Sequence, residues 1–566
     1  MRMSLLSRVT IASAIGLSLI FGVTSVVPLA QSRPKFFSDD PILREPDTQD
    51  ASKTQEWRIG LIADLTLNVF GKPGDPTLGI RAQNVNTIDE VPDSNWFTNR
   101  IYAKPLSIDD VTRGPNTNNG PAPGKWTLIR AKTAGTAPGF TVRDEAGKIW
   151  FLSMDADGYP ITATAAIAVA TRLFWALGYY VPEGYLTTVR PENVVIADDV
   201  TIPSHGRRRR FTNGDLNAVF ARSNKSADGS YRAMAQIGLP GRVIGGFKYF
   251  GTRPDDPNDV VPHEHRRELR ALQVFGGWAN MVDIKAGNTL DTVITENGRS
   301  VVRHYLQDVG STFGTGSLDP RDPDEGYERV YEGKPTAKRL VTMGLYIQPW
   351  QTADYVKNRE IGLFGADIYE PEKWTPRVPA AALLRIRADD ELWATLRVMA
   401  FTDDQIRAAV KTGQYSDPAA EKLLSDVLIA RRDKIARVYL AKINPLTKFS
   451  LSASGELTFE NPAVKAHLAD APKGGYQVAW SRFDNAAGTT QAIGSPASAA
   501  GERVQAPGGL PQADGTYIKA SISAVDAPHR SWSTPVDVYF RRAGGAWQLV
   551  GIDRLPNPPE VTAAKK

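Results

Sequence analysis

The chain has 566 residues, of which 42% are apolar and 23% charged, with a net charge of +5 and a pI near 9.0. This length predicts two or three domains, and the composition is that of a globular protein rather than a disordered one. The modest positive charge does not indicate a nucleic-acid partner. The absence of cysteine excludes disulfides and thiolate sites, and only six histidines argue against zinc.

The N-terminus predicts export. Arg2 and Arg8 precede an uncharged run over residues 9–30, and a positive start before an apolar centre is typical of a secretory signal. The run also has about the 20 residues that a membrane anchor requires. We therefore expect 1–30 to be a signal peptide or an N-terminal anchor. This predicts a bacterial periplasmic or envelope protein, tied to the inner membrane only if the segment stays uncleaved.

A polar stretch rich in Pro, Asp and Gln follows and predicts a linker over 31–56, with irregular structure up to residue 124. From residue 125 the pattern sharpens. KWTLIRAK, FTVRD and IWFLSMD are short alternating runs separated by turns, which predicts three strands. The Ala-rich stretch TATAAIAVATRLFWALGY has helical spacing and ends at Gly178. Four arginines at 207–210 predict a solvated turn beside a strand, because no aromatic residues are interleaved with them.

The next stretch, HEHRRELRALQVFGGW, has apolar residues at helical spacing after a charged first turn. His263 and His265 are two residues apart and do not share a helix face. We therefore predict that both are exposed rather than metal ligands. Residues 336–443 are predicted to be mostly helical, with Thr402 or Asp403 capping one helix and Pro418 starting the last.

The C-terminal region, 446–560, changes character. Its alternating segments, such as GYQVAWSRFD and GTYIKASISAV, are split by Gly-, Pro- and Ala-rich turns. This pattern predicts a β-sandwich that is immunoglobulin-like in the broad sense, without the cysteine pair of true immunoglobulin domains. We expect this domain to contact a protein or envelope partner.

Two short stretches carry the side chains of a phosphoryl-transfer site. VDIKAGNTLD places Asp283, Lys285 and Asn288 within six residues, and LQDVG ends an apolar run at Asp308. Phosphoryl transfer needs a base beside the attacking hydroxyl, oxygen ligands for a divalent cation and donors over the phosphates. An acid followed five residues later by an amide, with a second acid after the next strand, supplies such oxygen atoms. The alternative is structural, with Asp283 and Asn288 capping a loop and Asp308 capping a strand end.

At these motifs the chain resembles the protein-kinase superfamily. VDIKAGNTL is similar to the kinase catalytic loop, and LQDVG to the metal-binding Asp-Phe-Gly with Val309 in place of Phe. The divergent atypical or secretory kinase-like branches fit best. VNTIDEVPDSNWFTNR and RPDDPNDVVPHEHRRELRAL also resemble an uncharacterised family of exported bacterial proteins. The resemblance implies an α+β fold with a two-lobed kinase-like core over 125–445, its N-lobe about 125–250 and its C-lobe about 251–445. The predicted β-sandwich would follow this core.

The resemblance also implies roles for individual residues. Asp283 would be the base and Lys285 the partner of the transferred phosphate. Asn288 and Asp308 would bind Mg²⁺, with ATP or another nucleotide as the second cofactor. Gly135 and Gly139 would lie in the phosphate-covering loop.

Several positions depart from the kinase pattern. The residues before the catalytic acid are Met281 and Val282, the third-strand lysine position falls near Ser153 or Met154, and residues 162–177 contain no acid. The joint loss of the lysine and its glutamate is coherent, because a buried unpaired glutamate is costly. Either another residue supplies the charge, with Lys132 beside the glycine-containing loop as the nearest candidate, or the site no longer binds ATP. Since ATP is scarce outside the cytoplasm, the sequence leaves two functions open: an exported phosphotransferase or nucleotide-binding protein, and a non-catalytic envelope protein that uses this scaffold for binding.

Overall fold

A computed structural model of the chain describes residues 33–555, apart from residues 118, 134 and 317 and the side chains of residues 334 and 335. The predicted export segment lies outside the described residues. Among the residues that are described, no helix has both the length and the apolar character needed to cross a membrane. The chain forms a mixed α/β structure with several sheets.

The stretch 33–56, predicted as a linker, has almost no regular secondary structure and contacts the C-terminal strands through Phe36. Phe36 is buried against the rings of Phe483 and Tyr539, at centroid distances of 5.9 and 5.1 Å. A single aromatic side chain buries enough apolar area to hold an otherwise polar segment in place. Two short helices follow in the N-terminal region: α1 (Leu61–Thr66), which continues as a π-turn (Leu67–Gly71), and α2 (Ile108–Arg113).

The next region contains the three predicted strands and the predicted helix. Its elements are β1 (Trp126–Ala131), β2 (Gly139–Arg143), β3 (Ile149–Met154), α3 (Thr162–Leu177), β4 (Gly184–Val189), β5 (Val194–Ile196), β6 (Thr201–Ser204), β7 (Arg207–Arg210), α4 (Asn213–Ala221) and β8 (Tyr231–Ile237). Six of the strands form one sheet in the order β4-β8-β3-β2-β1-β5, antiparallel except for the β1–β5 pair. The four arginines form the exposed strand β7, paired with β6.

Helix α3 begins and ends at identifiable residues. The Asp155 carboxylate accepts hydrogen bonds from the backbone N–H (2.9 Å) and hydroxyl (2.7 Å) of Thr164, which satisfies donors in the first turn. At the other end, Gly178 has φ of 129°, and a Cβ there would lie 2.2 Å from the ring of Phe97. Only glycine fits this stop, so the sequence prediction of the helix end is confirmed.

The following region is mainly helical and carries one hairpin. Its elements are β9 (Arg242–Val243), α5 (Arg267–Arg270), α6 (Leu272–Ala279), β10 (Thr289–Glu296), β11 (Arg299–Leu306), α7 (Gly333–Val341), α8 (Ala381–Leu384), α9 (Ala388–Met399), α10 (Asp403–Lys411) and α11 (Pro418–Tyr439). Strands β9, β10 and β11 form a small antiparallel sheet. Thr402 caps α10 and Pro418 starts α11, as the sequence predicts.

Two predictions in this region are wrong. The stretch 263–278 is broken into a 3₁₀ turn, α5 and α6, and its two histidines are buried rather than exposed. Buried partners explain this: His263 Nε2 lies 2.8 Å from Asp259 Oδ2, and Arg270 donates to His265 Nδ1 at 2.7 Å. Residues 342–380 contain only one 3₁₀ turn, where helix was predicted, and Pro371, Pro376 and Pro379 exclude a regular helix at the end of this stretch.

The C-terminal strands form two sheets around one apolar cluster that includes Phe449, Trp480 and Phe540. One sheet has the order β12-β13-β17, and the other has the order β15-β14-β18-β19-β20 with β16 beside β14. Their elements are β12 (Thr447–Leu451), β13 (Glu456–Glu460), α12 (Pro462–Lys465), β14 (Tyr476–Asp484), β15 (Thr489–Ala492), β16 (Ala497–Ala499), β17 (Arg503–Gln505), β18 (Tyr517–Ala524), β19 (Val536–Ala543) and β20 (Ala546–Asp553). The immunoglobulin type of this region stays a prediction.

Candidate active site

The loop after α6 presents Asp283 and Lys285 on one side. Val282 and Ile284 are buried in the main apolar core, whereas Asp283 and Lys285 are only half-buried. Neighbouring side chains of an extended segment point in opposite directions. The alternation of apolar and charged residues in VDIK therefore anchors the loop and turns both charged groups toward the same space.

Asp283 is held by its two predicted partners. Lys285 Nζ lies 2.9 Å from the carboxylate oxygens of Asp283. Asn288 Nδ2 donates to the backbone oxygen of Asp283 at 2.8 Å and to its Oδ2 at 3.1 Å. Because the amide nitrogen of Asn288 is directed at Asp283, the amide oxygen is the atom that can face a cation.

The hairpin of β10 and β11 returns the chain to the same place. Asn288 lies just before β10, Asp308 lies just after β11, and the backbone oxygen of Asn288 accepts from the N–H groups of Gln307 (3.0 Å) and Asp308 (3.2 Å). Asp308 is exposed, and its Oδ1 accepts from Gly310 N at 3.0 Å. The structure thus brings the backbone of Asp308 against that of Asn288, whose side chain contacts Asp283, although Asp283 and Asp308 are separated by 25 positions.

Lys132 faces this group from the end of β1. The charge of Asp308 acts on Lys132: burial lowers the pKa of the Lys132 amine, Asp308 raises it and the nearby Arg222 lowers it. Part of the Lys132 side chain is nevertheless exposed. Lys132 and the nearby Arg222 carry positive charge of the kind that binds phosphate oxygens.

The two glycines predicted for the phosphate-covering loop have different surroundings. Gly135 has φ of 74°, and a Cβ there would lie 3.5 Å from Lys132 Cε, so this glycine borders the lysine. Gly139 is buried, and a Cβ there would lie 2.1 Å from the backbone oxygen of Leu152. Pairing of β2 with β3 is sufficient to require glycine at position 139.

The residues at the expected positions of the kinase lysine and glutamate remain apolar or small in the structure. Met154 and Trp150 lie in the apolar cluster between the sheet and α4, together with Phe220. The backbone of Gly310 instead approaches α3, where a Cβ would lie 2.7 Å from Ile167 Cγ1. The DVG turn therefore packs on α3, and the charge of Asp308 acts on Lys132.

The oxygen ligands suit a hard cation that also binds phosphate. Among the described residues, no group of three or more His, Cys, Asp or Glu is placed to hold a metal ion. Asn288 and Asp308 together offer one amide oxygen and one carboxylate. Mg²⁺ usually takes one or two carboxylates and fills its remaining positions with phosphate and water oxygens. The donor set therefore fits a metal that arrives with a nucleotide better than a resident metal.

One residue of this group, Arg222, was not predicted from the sequence. It is the residue that follows α4, far from the motifs, and no spacing rule connects it with Lys132. A separate cleft of about 100 Å³ lies elsewhere and is lined by residues that include Asp47, Asn95 and Glu296. Its polar groups bond to one another, with Asn95 Nδ2 at 2.5 Å from Asp47 Oδ2 and 3.2 Å from Glu296 Oε2.

Comparison with known proteins gives a distant similarity. No family model matches the chain, and no curated protein shows significant similarity to it. Among solved structures, the crystal structure of the Golgi casein kinase is similar at 11% identity and a TM-score of 0.31. The Golgi casein kinase with Mn/ADP bound is similar at 12% identity and a TM-score of 0.30. Each match covers 71% of this chain and 94% of the other chain.

Proposed function

We propose that this protein is a kinase-like, Mg²⁺-dependent phosphotransferase that binds ATP or another nucleotide. The observation that carries the proposal is the convergence of Asp283, Asn288 and Asp308 at the base of one hairpin, with Lys132 facing Asp308. These residues come from two separate regions of the chain. A chance match to a short motif would not bring the second acid and a distant lysine to the same place.

Each residue has a role in this proposal. Asp283 accepts the proton of the acceptor hydroxyl, while Lys285, 2.9 Å from that carboxylate, pairs with the transferred phosphate. Lys132 and Arg222 bind phosphate oxygens of the donor. Asn288 and Asp308 would hold Mg²⁺, which supplies neutralisation of the phosphate charge.

A second function is favoured by one observation. The third strand carries Ser153 and Met154 where kinases carry a lysine, and α3 contains no acid. The alternative is therefore a non-catalytic envelope protein that binds partners through this scaffold and the C-terminal sheets. Export to the periplasm or cell envelope, which belongs to both proposals, follows from the N-terminal sequence.

Isothermal titration calorimetry of nucleotide binding distinguishes the phosphotransferase from the non-catalytic protein. We expect Mg-ATP to bind wild-type protein with a Kd below about 1 mM, and ATP with EDTA, or Mg²⁺ alone, to bind at least about tenfold more weakly. This cooperation follows because Asn288 and Asp308 complete a metal site only with phosphate oxygens. Absence of measurable heat with several nucleotides at millimolar concentration would contradict the first proposal and leave the non-catalytic one.

A further inference from the structure

The segment formed by α1 and its π-turn has its polar side turned inward. Asp64 is 7% exposed and Asn68 is 5% exposed, whereas Ile62 is 82% exposed and Phe70 is 67% exposed. A helix that packs on a protein normally buries its apolar stripe. The hydrophobic effect therefore does not explain why the polar face of α1 lies against the protein. The burial of Asp64 and Asn68 needs another explanation.

The buried side of α1 adjoins the candidate active site. A Cβ placed on Gly287 would lie 3.2 Å from Leu61 Cδ2, so the start of α1 lies directly over the turn between Lys285 and Asn288. Tyr249 is a shared neighbour: burial raises the pKa of its hydroxyl, and the charges of Asp283 and Asp64 raise it further. Asp64 and the proposed base are therefore both close enough to one tyrosine for their charges to act on it.

Two oxygen atoms on this face have no partner. Asp64 Oδ1 and Asn68 Oδ1 are both buried and accept no hydrogen bond from the described residues. Asn68 Nδ2 donates to the backbone oxygen of Asp64 at 2.8 Å, which fixes the amide and leaves its oxygen as the free acceptor. Buried acceptors without a donor are uncommon in folded proteins because their desolvation is not repaid. A pair of them beside a proposed base indicates a ligand that brings donors.

The charges around the pair indicate that this ligand is neutral. Asp283 already has Lys285 at 2.9 Å. Burial raises the pKa of Asp64, and the positive charge of the nearby Lys248 opposes that shift in part. With each carboxylate accompanied by a lysine, a cationic or anionic ligand gains little net attraction. Hydroxyl groups supply the missing donors without adding charge.

We propose that Asp64 and Asn68 bind the acceptor substrate, and that the acceptor is a neutral polyhydroxylated molecule such as a sugar unit. This inference rests on the proposed phosphotransferase function. Hydroxyl groups of the sugar donate to Asp64 Oδ1 and Asn68 Oδ1, and a further hydroxyl faces Asp283. In the transfer, Asp283 takes the proton of that hydroxyl, and the hydroxyl oxygen forms a bond to the γ-phosphorus of ATP. The bond from that phosphorus to the β–γ bridging oxygen breaks, and ADP leaves with the electron pair.

Two readouts test the proposal. The first is phosphate transfer from ATP to glucose, galactose, N-acetylglucosamine and trehalose, with glucosamine and glucose 6-phosphate as charged comparisons. The second is hydrogen exchange of residues 61–71 with each sugar in the absence of nucleotide. We expect at least one neutral sugar to accept phosphate and to slow exchange of 61–71, and the charged analogues to be poorer.

The variants are Asp64→Ala and Asn68→Ala, with Ile62→Ala on the exposed face of the same helix as the control. We expect each of the first two to raise KM for the sugar about tenfold and to leave the Kd for Mg-ATP unchanged, while the control changes neither. If Asp64→Ala unfolds, Asp64→Asn takes its place in the test, because asparagine has the same shape as aspartate without its charge. A merely structural role would instead lower the melting temperature and leave KM unaltered.

The outcomes distinguish this inference from the proposed function. Wild-type protein that binds Mg-ATP but shows neither transfer to, nor protection by, any neutral sugar overturns the inference alone. Sugar protection that persists in both alanine variants also overturns it. Protection by a sugar in a protein that does not bind nucleotide would instead retain the sugar site and contradict the phosphotransferase.

Discussion

At the scale of single residues, Lys132 is the most informative position. Its charge acts on Asp308 from the end of β1, and no lysine occupies the kinase position on β3. We expect Lys132→Ala to weaken Mg-ATP binding at least about tenfold, because an ammonium group that contacts phosphate contributes a charge-assisted hydrogen bond. Lys125→Ala, at an exposed lysine just before β1, is the matched control. Equal affinities of the two variants would remove Lys132 from the site.

The pH dependence of the same position follows from its environment. Burial lowers the pKa of Lys132 below the usual 10.5, so the amine loses its proton at a lower pH than an ordinary lysine. Since only the charged form binds phosphate well, we expect Mg-ATP affinity to fall as the pH rises through the alkaline range below 10.5. Lys132→Arg, which stays charged, should abolish that fall. A wild-type affinity that stays constant up to pH 10 would contradict this role.

Candidate site residues that lie inside local motifs can be found from the sequence. Asp283, Lys285, Asn288 and Asp308 are recognisable from spacing, because a loop and the end of a hairpin fix their positions. Arg222 and Asp64 are not, since each reaches the site through packing between distant segments. Burial of an acid on an otherwise apolar-looking helix gives no signal in the linear pattern.

At the scale of elements, the hairpin of β10 and β11 determines whether the site exists. Asp291, in the middle of β10, is fully buried and is held by Arg253 Nη1 at 3.2 Å and by His304 Nδ1 at 2.8 Å. His304 in turn stacks on Trp96 at a centroid distance of 3.5 Å. This network fixes the hairpin whose two ends carry Asn288 and Asp308.

Removing Arg253 tests that support. We expect Arg253→Leu to lower the free energy of unfolding by about 3–5 kcal/mol, because it leaves the buried Asp291 without its guanidinium partner. Urea denaturation measures this loss, and Mg-ATP binding should weaken in parallel. The control is Arg58→Leu, at a highly exposed arginine paired with Glu56, which should leave stability unaltered. Equal stability of the two variants would show that the network does not fix the hairpin.

The elements also show where local patterns succeed and where they fail. α3, α10 and α11 were predicted because caps, proline and glycine mark their ends within a few residues. The helix predicted over 263–278 begins only at Arg267, after a 3₁₀ turn, and is divided at Ala271 into α5 and α6. Its charged residues are buried: Arg267 binds Asp390 on α9 at 2.9 Å, and Arg270 binds the same residue at 3.1 Å. Such pairings are set by tertiary structure and leave no local pattern.

At the scale of the whole molecule, buried ion pairs connect the ends of the chain. Asp89 lies 2.9 Å from Arg267 and 3.4 Å from Arg554, which follows the last strand. Arg554 also donates to the backbone oxygens of Asn444 and Leu446. The N-terminal region, the helical region and the C-terminal sheets therefore meet at one cluster of charges. The sequence analysis treated these regions as separate segments, because contacts between residues far apart in the chain leave no pattern in the sequence.

The buried His265, which accepts a hydrogen bond from Arg270, predicts a loss of stability in mild acid. Burial and the neighbouring Arg270 lower the pKa of His265 below 6.5, although Glu264 and Asp75 oppose the shift. As the pH falls through about 6.5, His265 is therefore protonated in the unfolded chain but still neutral in the folded protein. The free energy of unfolding should fall as the pH drops through that window, by at most about 1.4 kcal/mol per pH unit.

Urea denaturation at pH 7.5 and 5.5 measures the slope. We expect His265→Gln to be less sensitive to pH than wild type, and His205→Asn, at an exposed histidine of the β6–β7 turn, to behave as wild type. Stability that rises on acidification in wild type, or an identical slope in His265→Gln, would contradict a neutral buried His265.

The most direct measurement is the Kd of Mg-ATP by isothermal titration for wild type, Asp308→Ala and the control Asp199→Ala. Asp199 is an exposed acid between β5 and β6, away from the hairpin. We expect binding to be at least about tenfold weaker in Asp308→Ala and unchanged in Asp199→Ala, because only Asp308 offers its carboxylate to the metal beside Asn288. Equal affinities of wild type and Asp308→Ala would contradict a nucleotide site at the base of this hairpin.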